Sequence, residues 1–250
     1  MPFPFERIIE HRVFPNTFLR RVLIYVSFEK KGADFFDGNF KKKFQDYLSS
    51  MFNIADTGKF PQEALELKND RGETEIVLSN GSFLICLYQK DYKSFIDSVT
   101  PYLLRLRVFA EQIMQSNGYG ELRIRKVNIW RFESDNGIGL TYDLTSQAIF
   151  SKDLLQANNQ VPLSKDEKSL PINQKLTWED GSEKIVVLTG FAKLKGNAAN
   201  LILDSEIIET AEVAKKEMMD AVMQMNGTLF DVYHWSINDN VRHLMDLKKE

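Results

Sequence analysis

The chain of 250 residues contains few of the residue types on which common sites are built, with one cysteine, three histidines and three tryptophans. The single cysteine, Cys86, excludes an intramolecular disulfide, and its apolar surroundings favour a small buried side chain over a catalytic thiol. No apolar run approaches the roughly 20 residues that a membrane-spanning helix needs. The first residues also lack the basic-then-apolar layout of a secretory signal. The sequence therefore predicts a cytoplasmic protein that makes no membrane contact.

Common catalytic motifs are also missing from the sequence. It contains no phosphate-binding GxxxxGK[S/T] or GxGxxG, no HExxH and no G-x-S-x-G nucleophile elbow. His234 and His243 lack the spacing of three or four residues that places two metal ligands on one helix face. We predict no cofactor and no metal site, and we favour a protein without catalytic activity. An enzyme that lacks a recognisable motif remains an open alternative.

The overall charge excludes a generic binder of polyanions. Lysine and arginine together number 32, aspartate and glutamate number 35, and the formal net charge is −3. Nucleic-acid-binding domains instead carry a clear basic excess on one face. A local basic stripe remains compatible with this composition.

The sequence does contain one structural unit twice, a two-stranded hairpin that leads into a long amphipathic helix. Apolar runs with a turn between them predict each hairpin, and Asn80-Gly81 provides the positive φ angles of a type I′ turn. The first copy has strands at 75–78 and 83–88 and a helix at 92–116. The second has strands at 185–188 and 201–203, a turn near Gly196-Asn197 and a helix from about 210.

Further strands are predicted at 21–28, 122–132 and 139–150, helices at 39–51 and 241–247, and a loop at 58–71. Together these elements predict an α+β fold, a curved antiparallel sheet with helices on one face and two pseudo-repeated halves. We predict an N-terminal half at 1–155, a polar loop at 156–174 and a C-terminal hairpin, long helix and short helix at 175–250. We expect the halves to form one compact unit.

One predicted strand, at 122–132, carries a basic pattern. Arg123, Arg125 and Arg131 share strand parity and would line one face. Val127 and Ile129 fall on that same face, which predicts a bulge or a strand that is covered on both sides. The face would serve either as a basic surface for phosphate or an acidic partner, or as a solvated or ion-paired face without a ligand.

Three short motifs carry a resemblance to a known family. They are the pattern Arg-x-x-Asn at 125–128, a late strand that reaches an aspartate at 201–204, and a closing block at 228–245. On these motifs the chain resembles a sporadically distributed family of uncharacterised bacterial proteins of similar length. It departs from the family at Gln224-Met225, where the family has Leu-His, and at Asn238, where the family has threonine.

The resemblance implies accessory, immunity or phage-defence roles for the protein, and it marks Arg125 and Asn128 as candidate site residues. A hydrogen-bonded arginine–asparagine pair inside the fold is the structural alternative. We predict a non-catalytic interaction protein that binds a protein partner or a second copy of itself. The alternative is a binder of nucleic acid or anionic ligands through the strand at 122–132. Candidate binding residues are Arg123, Arg125, Asn128 and Arg131, with His234 and Trp235 in the closing block.

Overall fold

A computed structural model describes residues 3–5, 18–28, 42–43, 46–47, 55–56, 64–68, 74–79, 82–88, 95–112, 118–134, 139–210, 213–214 and 217–246. The chain divides into two compact units. Unit 1 comprises Met1–Arg20, Arg125–Ile207 and Asn226–Glu250, and unit 2 comprises Arg21–Ile124 and Ile208–Met225.

The strands of unit 2 are mostly short and antiparallel. In chain order the elements are β1 (Leu19–Phe28), β2 (Ala55–Asp56), β3 (Ala64–Lys68), β4 (Thr74–Ser79), β5 (Ser82–Tyr88), helix α1 (Phe95–Gln112) and the first part of β6 (Gly118–Glu133). The strand order is β2-β3-β4-β5-β1-β6. Alternate residues of β1 are buried, as expected for a strand with one covered face. Helix α1 continues through Pro101 and buries Val99, Leu103 and Leu106.

The predicted loop at 58–71 contains a strand instead, because β3 pairs with β4 in register, Leu65 opposite Leu78 and Leu67 opposite Ile76. The polar residues on either side of β3 suggested a loop, although the five residues of the strand alternate between apolar and polar. Four residues of the predicted helix at 39–51 are described, and they are helical. The rest of that helix, the Asn80-Gly81 turn and the helix end predicted at 116 lie outside the described residues.

Unit 1 holds a four-stranded arrangement in the order β6-β9-β8-β7. Its further elements in chain order are α2 (Tyr142–Ile149), α3 (Lys152–Leu155), a short 3-10 helix (Glu167–Ser169), β7 (Ile172–Asp180), β8 (Glu183–Lys193), β9 (Ala198–Glu209), the later turns of α4 (Met218–Ser236) and α5 (Asp239–Asp246). Gly181 and Gly196 have φ angles of 60° and 77° in the two hairpin turns, a conformation that glycine adopts without strain.

A cluster of aromatic side chains lies in the core of unit 1. The Trp130 ring stacks on Tyr233 with centroids 6.4 Å apart, and it meets Phe150 edge to face at 6.0 Å. The Tyr233 hydroxyl donates to the Met245 sulfur at 3.2 Å, and burial raises the pKa of this tyrosine. These contacts anchor the short final helix to the body of the unit.

The strand predicted at 139–150 is wrong, because residues 142–149 form helix α2. Thr141 caps this helix through its hydroxyl, which accepts from the Leu144 amide at 3.3 Å, and Asp143 lies in the first turn, where a negative charge is favourable. The apolar residues Tyr142 and Ile149 suggested a strand, but the cap signal determined the local structure.

The second long helix also differs from prediction at its start. Strand β10 (Val213–Ala214) precedes it, and α4 then runs from Met218 to Ser236 without ending at Gly227. Met218, Val222, Met225 and Leu229 are buried on one face, as the 3.6-residue period predicts. Packing of this face outweighs the roughly 1 kcal/mol that a glycine costs in a helix interior.

The coarse prediction of an α+β fold with an antiparallel sheet is confirmed. The predicted division at 155 and 174, within one compact unit, stays a prediction. No helix among the described residues has the length and apolar character needed to cross a bilayer.

Candidate functional site

The arginine strand β6 has two chemically different faces. Leu122, Ile124, Asn128 and Trp130 are buried on one face, and the alternation of buried residues is interrupted at the half-buried position 126. The three arginines share the other face, where Val127 and Ile129 are half-buried. The arginine face is therefore partly covered as well.

Each arginine of this strand has a carboxylate partner. Arg123 Nε donates to Glu121 Oε1 at 2.7 Å, and its guanidinium lies 5.4 Å from the centre of the Tyr25 ring. Arg131 pairs with Glu133 at 2.8 Å, and both side chains are 65% exposed. Arg125 is also paired, with the carboxylate of Asp204. The three arginines are therefore matched by three carboxylates, and the three pairs together carry no net positive charge.

The Arg125 pair joins two of the motifs that the sequence singled out separately. Its Nε donates to both carboxylate oxygens of Asp204, at 2.8 and 3.0 Å, and its Nη2 donates to Asp204 Oδ2. The Asp204 side chain is 11% exposed and that of Arg125 is 43% exposed. The hydrogen bonds that Arg125 donates to Asp204 raise the pKa of Arg125, so the guanidinium is held in its charged form.

The remaining candidate residues lie elsewhere in unit 1. Asn128 is 4% exposed on the face of β6 opposite to Arg125, so the two do not form the hydrogen-bonded pair considered from the sequence. The His234 ring lies against Phe230, with centroids 6.3 Å apart. Trp235 meets Trp178 edge to face at 5.6 Å.

Arg125 and Asp204 lie at one side of a groove on the outer face of the unit 1 sheet. The groove has a volume of about 420 Å³, within the range of about 300–1,000 Å³ typical of ligand sites. Val186, Leu188 and Ile202 form its apolar floor. We call this feature the outer-face groove.

The rim on the opposite side of the outer-face groove is built from residues 164–171. Ser164 and Glu167 form a capping box, in which the Ser164 amide donates to Glu167 Oε2 at 2.8 Å and the Glu167 amide donates to Ser164 Oγ at 3.3 Å. Lys175 on β7 donates to Glu167 Oε1 at 2.7 Å and lowers the pKa of this glutamate to about 2. Part of the segment 156–174, whose polar composition predicted a loop, thus forms an organised rim.

Gly190 allows the rim to approach the sheet. A Cβ atom at this position would lie 2.4 Å from the carbonyl oxygen of Pro171, closer than real Cβ contacts occur. The same oxygen accepts a hydrogen bond from the Phe191 amide at 2.9 Å. The close approach of two backbones therefore requires glycine here.

The outer edge of β7 is closed by the chain itself. The Val161 amide donates to the Lys175 carbonyl at 2.9 Å, and the Thr177 amide donates to the Asn159 carbonyl at 3.3 Å. An added strand would compete with these bonds, so the face of the sheet is more accessible to a partner than this part of its edge.

Lys126 is an unusual residue on the buried face of β6. Its ammonium donates to Asn226 Oδ1 on α4 at 2.6 Å, and burial lowers its pKa to about 7. A lysine that titrates near neutrality marks many functional sites. This lysine does not line the outer-face groove, and its direct consequence is a pH-dependent stability.

The groups in the outer-face groove suit binding better than proton transfer. A general base works best with a pKa near the operating pH, whereas Glu167 has a pKa of about 2 and Arg125 a raised pKa. No group of three or more metal-ligating side chains occurs within the part of the chain that the structure describes. The geometry provides an apolar floor between two ion pairs.

Several of these residues were not anticipated from the sequence. The Ser164-x-x-Glu167 spacing is a recognisable capping signal that could have indicated the ordered rim. Gly190 and Lys126 gave no local signal, because their roles depend on backbones and side chains that are distant in sequence.

Comparisons with known proteins add little to this geometry. No family model and no curated protein matches the chain. Among solved structures, Methanococcus jannaschii TBP matches with 10% sequence identity, over 84% of this chain and 95% of that chain, with a TM-score of 0.26. A TM-score this low carries no argument about fold or function.

Proposed function

We propose that this protein is a non-catalytic interaction protein that holds a segment of a protein partner in the outer-face groove. The observation that supports the proposal is the apolar floor of Val186, Leu188 and Ile202 between two ion pairs. Protein interfaces have this arrangement, with an apolar centre that excludes water and a polar rim that sets orientation.

Charge complementarity indicates the chemistry of the partner segment. The groove contains the cations Arg125 and Lys175 and the carboxylates Glu167, Asp204 and Glu206, an excess of one negative charge. A segment with a basic side chain next to a large apolar one would match both the carboxylates and the floor. The alternative, a binder of nucleic acid through the strand at 122–132, is less favoured because carboxylates neutralise its arginines.

The cytoplasmic setting and the accessory, immunity or defence role belong to the same proposal. The resemblance to a sporadically distributed bacterial family through the Arg125 and Asp204 motifs supports the accessory, immunity or defence role. The meeting of these two motifs in one ion pair supports a shared role in the outer-face groove.

We also propose that the fold consists of two pseudo-repeated halves around a curved sheet with its helices on one face. The support is the order of elements, since a hairpin (β4–β5) precedes α1 and another (β8–β9) precedes α4. An experimental structure tests this proposal. Superposition of the two hairpin-plus-helix segments is the expected result, and unrelated hairpin-to-helix geometry would contradict it.

Photo-crosslinking from the groove tests the proposed function. A benzophenone amino acid at Leu188, on the groove floor, is compared with one at Leu144, which is 55% exposed on α2. In cells of the native host we expect one crosslinked protein from position 188 and none from position 144. The crosslink should be lost when Val186→Lys is added, because a cation then occupies the floor. Equal crosslinking at both positions, or a crosslink that survives Val186→Lys, would contradict the proposal.

A further inference from the structure

The lining of a second cavity in unit 1 includes several aromatic and amide residues. Its volume is about 560 Å³, and Trp178, Trp235, Asp153, Gln156, Asn158 and Asn159 line it. We call it the tryptophan pocket. It shares no lining residue with the outer-face groove.

Backbone hydrogen bonds hold the walls of the tryptophan pocket in place. The Ser151 amide donates to the Ser236 carbonyl at 2.9 Å, which ties the start of α3 to the end of α4 beside Trp235. The Thr177 amide donates to the Asn159 carbonyl at 3.3 Å, which ties the amide-rich turn to β7 beside Trp178. Because the backbone of the walls is held in this way, ligand binding costs little backbone entropy.

The polar groups of the pocket are available to a ligand. Within the described part of the chain, the side chains of Asp153, Gln156, Asn158 and Asn159 make no hydrogen bond to other residues. Each amide can donate through its NH₂ group and accept through its oxygen. The single carboxylate leaves the lining almost neutral.

We propose that the tryptophan pocket binds a neutral polyhydroxylated ligand, a sugar ring. The apolar C–H face of a pyranose stacks on an indole ring, and its hydroxyls both donate and accept hydrogen bonds, as the surrounding amides do. This combination of one accessible aromatic surface with several unpaired amides is what such a ligand requires. The inference does not depend on the proposed function of the outer-face groove.

A methylated ammonium ion is the competing occupant of an aromatic site. Such cations bind in cages where two or more ring faces turn towards the charge. In the tryptophan pocket the two indole rings meet edge to face at 90°, so that one ring covers a face of the other. Trp178 is also only 4% exposed, which leaves Trp235 as the accessible platform.

Intrinsic tryptophan fluorescence of the intact protein tests the proposal. The probes are glucose, galactose, N-acetylglucosamine, maltose and cellobiose up to about 50 mM, a range that detects millimolar affinity. We expect a saturable change with at least one sugar. Asn158→Ala should weaken its binding about tenfold, the effect of losing one hydrogen bond of about 1.4 kcal/mol. Asn240→Ala, an exposed asparagine on α5, is the matched control and should bind as the wild type does.

Three results would overturn the proposal of a sugar site. No saturable change with any of the five sugars would remove the sugar site. A change that is unaltered in both Asn158→Ala and Gln156→Ala would place binding elsewhere. A response to tetramethylammonium chloride without a response to sugars would assign the pocket to a cation. Asn158 is exposed and makes no bond in the fold, so its substitution should leave the unfolding transition unchanged.

Discussion

Replacing Gly190 with alanine tests the close contact between the rim and the sheet. The added Cβ would meet the Pro171 carbonyl oxygen at 2.4 Å, and Ile202 Cβ lies 3.6 Å away. The obstacle at 2.4 Å is backbone, so rotation of a side chain cannot relieve it. Either the rim or β8 must move.

The expected cost of Gly190→Ala follows from two effects. Inserting a methyl group into a packed site costs about 1–3 kcal/mol. Weakening the hydrogen bond from Phe191 to Pro171 adds about 1 kcal/mol. We therefore expect the free energy of unfolding to fall by roughly 2–4 kcal/mol, with strain from a positive φ playing no part at this position.

Urea denaturation followed by tryptophan fluorescence measures this change. The chain has three tryptophans, Trp130, Trp178 and Trp235, and all lie in unit 1, so the signal reports on the unit that contains Gly190. Gly139→Ala is the matched control, because nothing lies within 4 Å of its new Cβ atom. It should change the free energy of unfolding by no more than about 1 kcal/mol. If Gly190→Ala were as stable as Gly139→Ala, the steric argument would be refuted.

Three further perturbations give defined outcomes. Asp204→Asn should lower the free energy of unfolding by roughly 1–2 kcal/mol, less than for a fully buried pair because the guanidinium is 43% exposed. Tyr142→Phe should cost about 1–3 kcal/mol, because it removes the 2.7 Å hydrogen bond to the buried Thr189 hydroxyl. Between pH 7 and 10 the unfolded chain binds more protons at Lys126 than the folded protein does. The free energy of unfolding of the wild type should therefore rise with pH, by up to about 1.4 kcal/mol per pH unit. Lys126→Met should remove this rise.

Controls and contrary results for these variants come from the same unfolding measurements. Glu133→Gln breaks an ion pair with both partners 65% exposed and should change stability by less than about 1 kcal/mol. If Asp204→Asn and Glu133→Gln lowered the free energy of unfolding equally, the greater contribution of the Arg125–Asp204 pair would be contradicted. A Tyr142→Phe protein as stable as wild type would show that the hydroxyl pair is dispensable. A wild-type minus Lys126→Met difference that stays constant with pH would show that the lysine is not desolvated.

Local signals predicted much of the fold. Glycines at the hairpin turns, Gly181 and Gly196, need positive φ angles, and this requirement is visible in the sequence between apolar runs. The buried face of α4 follows the 3.6-residue period. Both properties depend on neighbours in the chain.

Prediction failed where two local signals conflicted. The segment 139–150 has apolar residues that suit a strand, whereas Thr141 and Asp143 favour the start of a helix. The cap bonds formed and the helix resulted. The strand β3 was missed for the opposite reason, since its alternation was clear but its polar flanks suggested a loop.

The candidate site could be predicted only in part. The arginine face of β6 follows from strand parity, and the sequence already allowed an ion-paired face. The partner of Arg125 could not be read from the chain, because Asp204 lies 79 residues away and meets it through the sheet order. Gly190 is similar, since a glycine in a strand becomes informative only when another backbone is known to approach it.

Peptide selection directly tests whether the outer-face groove holds a protein segment. A random peptide library displayed on phage is selected against the wild-type protein and counter-selected against Val186→Lys, with Leu144→Lys as the surface control. We predict enriched peptides that carry a basic residue near a large apolar one and that bind wild type and Leu144→Lys equally. They should lose at least tenfold in affinity for Val186→Lys, a loss of about 1.4 kcal/mol. Peptides that bind Val186→Lys as tightly as wild type, or a selection that enriches none, would contradict the claim.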